Sequence, residues 1–251
     1  MSENKEKKIK VQVRNLTKKF GDLLVLDDMS FDVMEGEFLC VVGPTGCGKT
    51  TFLNSLTNLN NITEGEILVN GEKVDLKKHN ISYIFQEFSA MPWLTIEQNV
   101  EFGLKVKKVS KAERKAAVDE MLDIVGLTEY RKYYPQQVSV SMLQRIGIAR
   151  AFATRPELLL MDEPYGQLDL DLRFKLEDEL IKLWQKTGTT VLFITHNVEE
   201  AVYLSQKVMV LTNKPTKVKV VLENNLPIPR DIMSLEFVKF RNEVTDLIKC
   251  C

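Results

Sequence analysis

The sequence predicts an α/β domain built on a mainly parallel β-sheet, and three observations predict it. Apolar runs that are typical of buried strands alternate along the chain with helical patterns. A glycine-rich octet directly follows the apolar run at residues 38–42, where a strand would turn into a helix. A second apolar run, at residues 158–161, ends in two adjacent carboxylates. The sequence therefore predicts a sheet with a functional site at the carboxyl ends of its strands.

The predicted strands lie in both halves of the chain. Asn70-Gly71 is a hairpin-type turn between the strands at 66–69 and 81–85. The runs at 158–161 and 190–195 are continuously apolar, as parallel strands covered on both faces are. The remaining predicted strands are residues 11–16, 23–33 and 38–42.

The predicted helices have identifiable starts, faces and stops. The segment from Ser110 to Glu113 is a capping box, and its helix runs to about Val125, where Gly126 ends it. A later helix is predicted from an apolar stripe that faces the sheet and ends at Gly188. The stripe consists of Leu172, Leu176, Leu180 and Leu183.

The chain divides into a tail, one large domain and an extension. Residues 1–10 are charged and predict a disordered tail, and residues 11–226 form the domain, with a mostly helical lobe at about 87–155. Residues 227–251 form a C-terminal extension that opens with Pro227-Ile228-Pro229-Arg230 and closes with a helical pattern.

Composition excludes several classes of protein. Hydrophobic residues make up 44% of the 251 residues, which supports a well-buried core, and the net charge of −1 argues against nucleic acid as the main partner. No apolar run approaches the roughly 20 residues that a membrane helix needs, and the N-terminus has no signal-peptide pattern. The spacing of the four cysteines is not that of a disulfide framework, which suits a reducing cytosol. The terminal pair is interpreted as part of a frayed tail rather than as a lipid or metal site. The cysteines are Cys40, Cys47, Cys250 and Cys251.

The octet at residues 43–50 fits the P-loop pattern. Its glycines allow successive N–H groups to turn around a phosphate, Lys49 adds a charge for the β- and γ-phosphates, and the Thr50 hydroxyl can bind Mg²⁺. The helix that begins near Thr51 adds its dipole to this anion site. A glycine-rich turn that binds nothing is the alternative. The predicted nucleotide-binding residues are Gly43, Pro44, Thr45, Gly46, Cys47, Gly48, Lys49, Thr50 and Thr51.

Three further side chains are predicted to act on the phosphates. Asp162 ends a buried strand beside the P-loop, where it can hold Mg²⁺, and Glu163 follows as a base for an attacking water. A solvated acidic pair is the alternative reading. His196 follows the apolar run at 191–194, so the topology favours a γ-phosphate contact over a structural histidine.

Over nearly its whole length, the chain resembles the ATP-binding subunit of an ATP-binding cassette (ABC) transporter. The resemblance implies a P-loop NTPase cassette fold, with a mainly parallel core sheet, an antiparallel β subdomain and a helical lobe. The resemblance implies that Phe20, in Lys19-Phe20-Gly21, stacks on adenine, although a strand-end Phe can equally be a core residue. It implies that Gln86 senses Mg²⁺ and the attacking water, and that His196 is the switch histidine. Residues 166–169 (Gly-Gln-Leu-Asp) resemble the D-loop.

The signature loop departs from the family. Where the family has Leu-Ser-Gly-Gly-Gln, this chain reads Val-Ser-Val-Ser-Met at residues 138–142. The resemblance implies that Ser139 and Ser141 face a partner subunit's γ-phosphate. Because Val140 is β-branched and bulky where glycine allows close approach, we expect slower hydrolysis but unimpaired ATP binding.

Other segments resemble importers of the nitrate, sulfonate and taurine group. These segments imply import of a small oxyanion or an organic sulfonate-like compound. Packing residues shared by many cassettes are the alternative reading. The segments are residues 91–100, 183–184, 200–204 and 227–231.

The resemblance also implies partners. Two cassettes, identical or different, would bury two ATP molecules with Mg²⁺ between them. They would move a separate membrane permease, which docks near residues 86–94. A solute-binding protein would take part indirectly. The chain would then lie peripherally on the cytoplasmic face of the membrane. A soluble cassette ATPase acting on nucleic acid or the ribosome is disfavoured, because only about ninety residues separate Thr50 from Ser139 and there is one P-loop. A small P-loop kinase is disfavoured by Glu163 and His196.

Overall fold

A computed structural model describes residues 8–87, 89–166, 168 and 170–250. The chain forms two compact units. The first comprises the chain up to His79 together with everything from Gly188 onward, and the second comprises Asn80–Thr187. The predictions for residues 1–7, for Gln167 and Asp169 of the D-loop, and for Cys251 lie outside the described residues.

Strands and helices are numbered in chain order. The strands of the described residues are β1 (Ile9–Phe20), β2 (Leu23–Met34), β3 (Phe38–Val42), β4 (Glu64–Val69), β5 (Glu72–Lys73), β6 (Ile81–Ile84), β7 (Leu158–Asp162), β8 (Thr190–Ile194), β9 (Lys207–Leu211) and β10 (Val218–Glu223). The α-helices are α1 (Lys49–Ser55), α2 (Ile96–Val106), α3 (Lys111–Ile124), α4 (Val140–Ala153), α5 (Leu170–Thr187), α6 (Val198–Leu204) and α7 (Leu235–Lys249). Short 3₁₀ turns lie at Thr128–Tyr130 and Pro135–Gln137.

The buried sheet of the first unit is mainly parallel. Strand β3 pairs in parallel with β8 on one side and β9 on the other, and β10 adds an antiparallel edge to β9. Every residue of β3 and β8 is buried, which explains why both strands are continuously apolar. The register sets Val41 opposite Ile194, so the carboxyl ends of these two strands coincide.

An antiparallel sheet in the same unit has the order β2-β1-β4-β5. The turn at Asn70-Gly71 is a hairpin, as predicted, and both residues have positive φ, 54° and 79°. The predicted partner was wrong, because the turn joins β4 to the short β5 rather than to the strand near residue 81. That strand, β6, pairs in parallel with β7. A two-residue strand has no periodicity that a sequence could display.

The second unit contains β6, β7 and helices α2 to α5. Its predicted helix starts and faces are confirmed: Ser110 accepts from the Glu113 N–H as the cap of α3, and Leu176, Leu180 and Leu183 of α5 are buried. Leu172, at the start of the stripe, is only half-buried. The capping box confirms that local side-chain chemistry specifies where α3 begins.

Several elements of the first unit were not predicted. Strands β9 and β10 and helix α6 follow His196, and β1 begins at Ile9, inside the expected tail. Each of the missed elements has seven residues or fewer and no turn signal as strong as the Asn-Gly pair of the hairpin. In the described part of the chain, no helix is long and apolar enough to cross a membrane.

Candidate nucleotide-binding site

The P-loop connects β3 to α1, as the sequence predicts. Lys49 is the first residue of α1 and is only 6% exposed. Its Nζ donates to the carbonyls of Gly43 at 3.0 Å and Pro44 at 3.1 Å, so the ammonium lies over the loop. No side chain of the described residues caps α1. The loop thus presents a cation and the N–H groups of a helix start, a combination that suits a phosphate.

Glycine is required at two positions of the loop for different reasons. Gly46 has φ +75° in open space, so only its backbone angle calls for glycine. Gly48 has φ +115°, and a Cβ there would lie 2.9 Å from Cγ1 of Val25. The second strand of the antiparallel sheet therefore packs against the P-loop and leaves no room for a side chain at Gly48.

A threonine that was not predicted as a site residue holds the P-loop in place through a hydrogen bond. Thr216 is fully buried, and its hydroxyl donates to the carbonyl of Cys47. Its backbone is held by β2, because its N–H donates to Val25 at 2.9 Å and its carbonyl accepts from Asp27 at 2.9 Å. Thr216 lies 169 residues from Cys47 in sequence, and nothing in its surrounding loop signals this contact.

His196 lies at the same end of the parallel sheet as the P-loop. It follows β8, and the Thr195 N–H donates to the carbonyl of Val41 at 3.3 Å, one residue before β3 ends. The His196 side chain is exposed. The parallel register of β3 and β8 thus places this imidazole and the P-loop on one edge of the first unit.

Phe20 ends β1 and is 47% exposed, so it is not the core residue of the alternative interpretation. The ammonium of Lys18 lies 4.5 Å from the centroid of its ring. One face of the ring therefore carries a cation, and a flat apolar ligand would stack on the other.

Asp162 is the last residue of β7 and is 2% exposed. The Tyr83 hydroxyl, from the neighbouring strand β6, donates to its carboxylate. Burial raises the pKa of Tyr83, and the charge of Asp162 raises it further, so the phenol remains a donor at neutral pH. This partner orients a buried carboxylate of the hard oxygen type that Mg²⁺ prefers.

Glu163 follows with a backbone angle that is unusual for its residue type. Its φ is +47°, in the left-handed region that costs a non-glycine residue about 1 kcal/mol. The Nε2 atom of Gln86 donates to its Oε2 at 3.3 Å. The register of β6 and β7, with Ile84 opposite Met161, explains why Gln86 and Glu163 emerge together two residues later. The second unit thus unites Gln86, Asp162 and Glu163.

A second missed residue supports the turn after Glu163. Gln144 of α4 is 6% exposed, and its Nε2 donates to the carbonyl of Pro164. The Gly166 N–H closes the turn by donating to the Glu163 carbonyl at 3.3 Å. Two hydrogen bonds therefore stabilise the turn that begins at the left-handed Glu163, as is common where a strained residue lies at a functional site.

The signature segment forms the start of α4. Ser139 is the N-cap and accepts from the Met142 N–H at 3.3 Å, and the Ser139 and Ser141 hydroxyls lie 2.9 Å apart. Val140 is the first helical residue, does not have a positive φ and is 48% exposed. The backbone at Val140 is thus helical, a conformation that does not require glycine. Only its bulk remains as a difference.

The described oxygen donors fit a nucleotide-borne Mg²⁺. Thr50 of the first unit offers a hydroxyl. In the second unit, Asp162 offers a buried carboxylate and Gln86 an amide, and each of these groups is a hard ligand. Among the described residues, no cluster of three His, Cys, Asp or Glu side chains could hold a metal by itself. Mg²⁺ commonly takes one or two protein ligands and completes its shell with phosphates and water.

The fold and these residues define a P-loop nucleotide-binding protein. The family model described as ABC transporter matches residues 26–166. The chain is 43% identical over 246 residues to an uncharacterized ABC transporter ATP-binding protein of Methanocaldococcus jannaschii, covering 96% of this chain and 92% of that protein. It is 39% identical over 228 residues to the aliphatic sulfonates import ATP-binding protein SsuB of Bacillus cereus, covering 91% and 90%.

Solved structures agree with the sequence comparisons. A dimeric structure of a bacterial ABC transporter cassette matches with a TM-score of 0.77 and 31% identity, over 86% of this chain and 99% of that one. A structure described as a post-hydrolysis state bound to ADP and Pi matches with the same TM-score. The chain belongs to the ABC transporter family, as an ATP-binding subunit with the predicted cassette fold. It is an ATPase by class.

Proposed function

We propose that this chain hydrolyses ATP to drive import of a solute through a separate membrane permease. The observation that carries the hydrolytic part is the Gln86 amide on the Glu163 carboxylate, beside the buried Asp162. Glu163 has a strained, left-handed backbone, and side-chain amides bind both its carboxylate and the carbonyl of Pro164. An acidic turn with no chemical role would not require this strain or these contacts.

Each unit supplies a distinct part of the chemistry. In the first unit, the P-loop N–H groups and Lys49 bind the phosphates, and Thr50 would be a ligand for Mg²⁺. Phe20 of the same unit stacks on adenine, and His196 contacts the γ-phosphate. In the second unit, Asp162 and Gln86 would hold Mg²⁺, and Glu163 takes the proton from the attacking water. The water oxygen bonds to the γ-phosphorus as the bond to ADP breaks. Bound Mg²⁺ neutralises charge on the phosphates.

We propose that the active form contains two cassettes. Ser139 is exposed at the start of the 14-residue helix α4, where its hydroxyl, Ser141 and the first helical N–H groups can face a partner's nucleotide. The related cassette of known structure is described as dimeric, which supports this arrangement. The second cassette is either a copy of this chain or a different one.

The permease is proposed to dock on the segment after Gln86. Asn99 of α2 is fully buried and forms hydrogen bonds with the backbone of Met91, Leu94 and Thr95. The turn that they hold presents Trp93, which is 73% exposed. A large aromatic side chain on a fixed turn is a suitable anchor for a partner protein.

Import of an organic sulfonate or a related small oxyanion is the proposed transport activity. Its support is the similarity to SsuB, whose name states import of aliphatic sulfonates. The proposal places the chain peripherally on the cytoplasmic face of the membrane, with a solute-binding protein acting through the permease. Uptake of a labelled alkanesulfonate by cells that express this chain with its permease tests it, and uptake unchanged by loss of this chain would refute it.

The hydrolytic assignment is tested by two substitutions. Glu163→Gln removes the base and leaves the P-loop unchanged, so ATP still binds and an ATP-trapped dimer accumulates on size-exclusion chromatography. Lys49→Ala lowers ATP affinity itself. Normal turnover by Glu163→Gln, or normal nucleotide binding by Lys49→Ala, would refute the corresponding role.

Docking is tested by membrane fractionation with and without the permease. We expect co-sedimentation with membranes only when the permease is present, and we expect Trp93→Ala to weaken it without lowering ATP affinity. Leu76→Ala is the matched control, because Leu76 is an exposed apolar side chain of the other unit, 55% exposed. Membrane retention without any permease would contradict the docking proposal, and retention on ribosomes would favour the alternative function.

A further inference from the structure

The turn that carries His196 is fastened by one buried hydroxyl. Thr195 is 1% exposed, and its Oγ1 donates to Oε2 of Glu200 at 2.5 Å. The same oxygen accepts from the Asn197 N–H at 2.9 Å. Thr195, just before His196, is therefore hydrogen-bonded both to Asn197, just after it, and to Glu200. The imidazole of His196 itself is exposed.

Glu200, the acceptor of that hydrogen bond, belongs to α6 and is 5% exposed. Helix α6 begins immediately after His196, with Asn197 as its N-cap. A seven-residue helix is too short to be stable alone in water, so its position depends on what packs against it. The position of Glu200, and through it the His196 turn, is thus decided by tertiary contacts.

Several of those contacts come from the C-terminal part of the chain. Arg230 of the C-terminal extension is buried, and its guanidinium donates to the carbonyls of Tyr203 at 2.5 Å and Ser205 at 2.8 Å. Asn224, just before the extension, donates to Val202 at 2.8 Å and again to Ser205 at 2.9 Å. Together they satisfy carbonyls at the C-terminal end of α6, which a helix leaves without internal partners.

The other end of α6 is also bound to the extension. Nη1 of Arg241, in α7, lies 3.3 Å from Oε2 of Glu199 in the first turn of α6. Helix α7 is capped in turn by Lys219, whose Nζ donates to the carbonyls of Leu247 at 2.8 Å and Cys250 at 3.1 Å. The extension therefore holds both ends of the helix that follows His196.

We infer that Thr195 and Glu200 are positioning residues for His196, and that the C-terminal extension acts through them by holding α6. The inference rests on the proposed function, in which His196 contacts the γ-phosphate. A histidine on a turn that is held by hydrogen bonds is already oriented before the nucleotide binds. Less conformational entropy of the side chain is therefore lost when the reaction takes place. The extension then contributes to hydrolysis through the residues that contact α6, by positioning His196.

A matched pair of substitutions tests the hydroxyl. Thr195→Val keeps the shape and removes the hydroxyl, whereas Thr195→Ser keeps the hydroxyl and removes a methyl group. We expect Thr195→Val to lower kcat about tenfold or more with unchanged affinity for ATP, and Thr195→Ser to retain most of the rate. Normal kcat in Thr195→Val, or equal losses in both variants, would overturn the inference.

The His196→Ala background separates positioning from general damage. If Thr195 acts through His196, adding Thr195→Val to His196→Ala lowers kcat no further. A further loss, or a loss of ATP binding, would mean that Thr195 acts elsewhere and would overturn the inference. Normal kcat in His196→Ala alone would instead refute the role of His196 in the proposed function.

The contribution of the extension is tested on α7, away from the buried Arg230. Arg241→Met removes the contact with Glu199 and should lower kcat a few-fold at unchanged ATP affinity. Lys239→Met is the control, because Lys239 is an exposed residue of the same helix. If Arg241→Met behaves as Lys239→Met does, the extension has no part in positioning His196.

Discussion

The Nε2 atom of Gln86 lies 3.3 Å from the Oε2 atom of Glu163, at the carboxyl ends of two paired parallel strands. The two residues are 77 positions apart in sequence. An amide donor on this carboxylate fixes its direction, which suits a general base.

Replacing Gln86 by methionine should slow hydrolysis without preventing ATP binding. A hydrogen bond to a charged group contributes about 1.5–3 kcal/mol, so we expect kcat to fall about 10- to 100-fold. In the Glu163→Gln background the same change should have no further effect, because the carboxylate has already gone. Steady-state ATPase assays on the two single variants and the double variant measure this coupling. Additive losses would show that Gln86 acts independently of Glu163.

Phe20→Ala should weaken ATP binding, whereas Phe20→Tyr should not. An aromatic contact contributes about 0.5–1.5 kcal/mol, which corresponds to a two- to tenfold rise in Kd. Titration with a fluorescent ATP analogue measures both variants, and triphosphate without a base is the control ligand. An unchanged Kd in Phe20→Ala would show that the ring does not stack on adenine.

Alanine should have opposite effects at two glycines. Gly48→Ala places a methyl group 2.9 Å from Val25 at a φ of +115°, so we expect a loss of about 1–3 kcal/mol in the free energy of unfolding and impaired ATP binding. Gly147 lies within α4, with nothing within 4 Å of an added Cβ. Gly147→Ala should therefore stabilise the chain by about 1 kcal/mol. Urea denaturation measures both, and a stable Gly48→Ala variant would contradict the described loop.

Restoring glycine to the signature segment should raise the ATPase rate of a homodimer. Since the backbone at Val140 and Ser141 is already helical, the gain must come from removing bulk, which lets N–H groups approach the γ-phosphate. One recovered hydrogen bond of about 2 kcal/mol corresponds to about thirtyfold in rate. The variant to assay is Val140→Gly with Ser141→Gly, in a preparation shown to dimerise with ATP. A rate equal to that of the unmodified chain would mean that its own loop already reaches the phosphate.

An ion-pair cluster in the second unit should make stability depend on pH. Burial acts to raise the pKa of Glu97, but hydrogen bonds and charges from Lys132 and Arg131 outweigh it, and the pKa is lowered. A lowered pKa in the folded state means that the stabilisation is present above the unfolded value of about 4.3 and is lost as the pH falls through the folded value.

Glu97→Gln should therefore destabilise the chain by about 1–2 kcal/mol at pH 7 and by much less near pH 3. Urea denaturation at the two pH values measures the difference. Glu129→Gln is the control, because Glu129 is an exposed carboxylate of the same unit. A destabilisation of equal size at both pH values would exclude the ion pairs as its cause.

The short-range features of this protein were predictable from its sequence. The strand and helix that flank the P-loop, the Ser110 cap and the buried runs at β7 and β8 all appear where local patterns predict them. Local geometry is specified by residues that lie only a few positions apart. Examples are glycine in the P-loop, a hydroxyl at a helix cap and an unbroken apolar run. Asp162, Glu163 and His196 were predicted as site residues for the same reason, since each ends or closely follows an apolar run. The predictions for Phe20, Gln86, Ser139 and Ser141 came instead from the family resemblance.

Tertiary structure decided which of these residues meet. It paired β4 with β5, brought Gln86 to Glu163, placed Thr216 on the P-loop and gave Val140 a helical backbone. These contacts join positions far apart in the chain, and a single sequence carries no periodic signal for them. The sequence by itself determined the chemistry that is available, and the packing of distant segments determined how that chemistry is held.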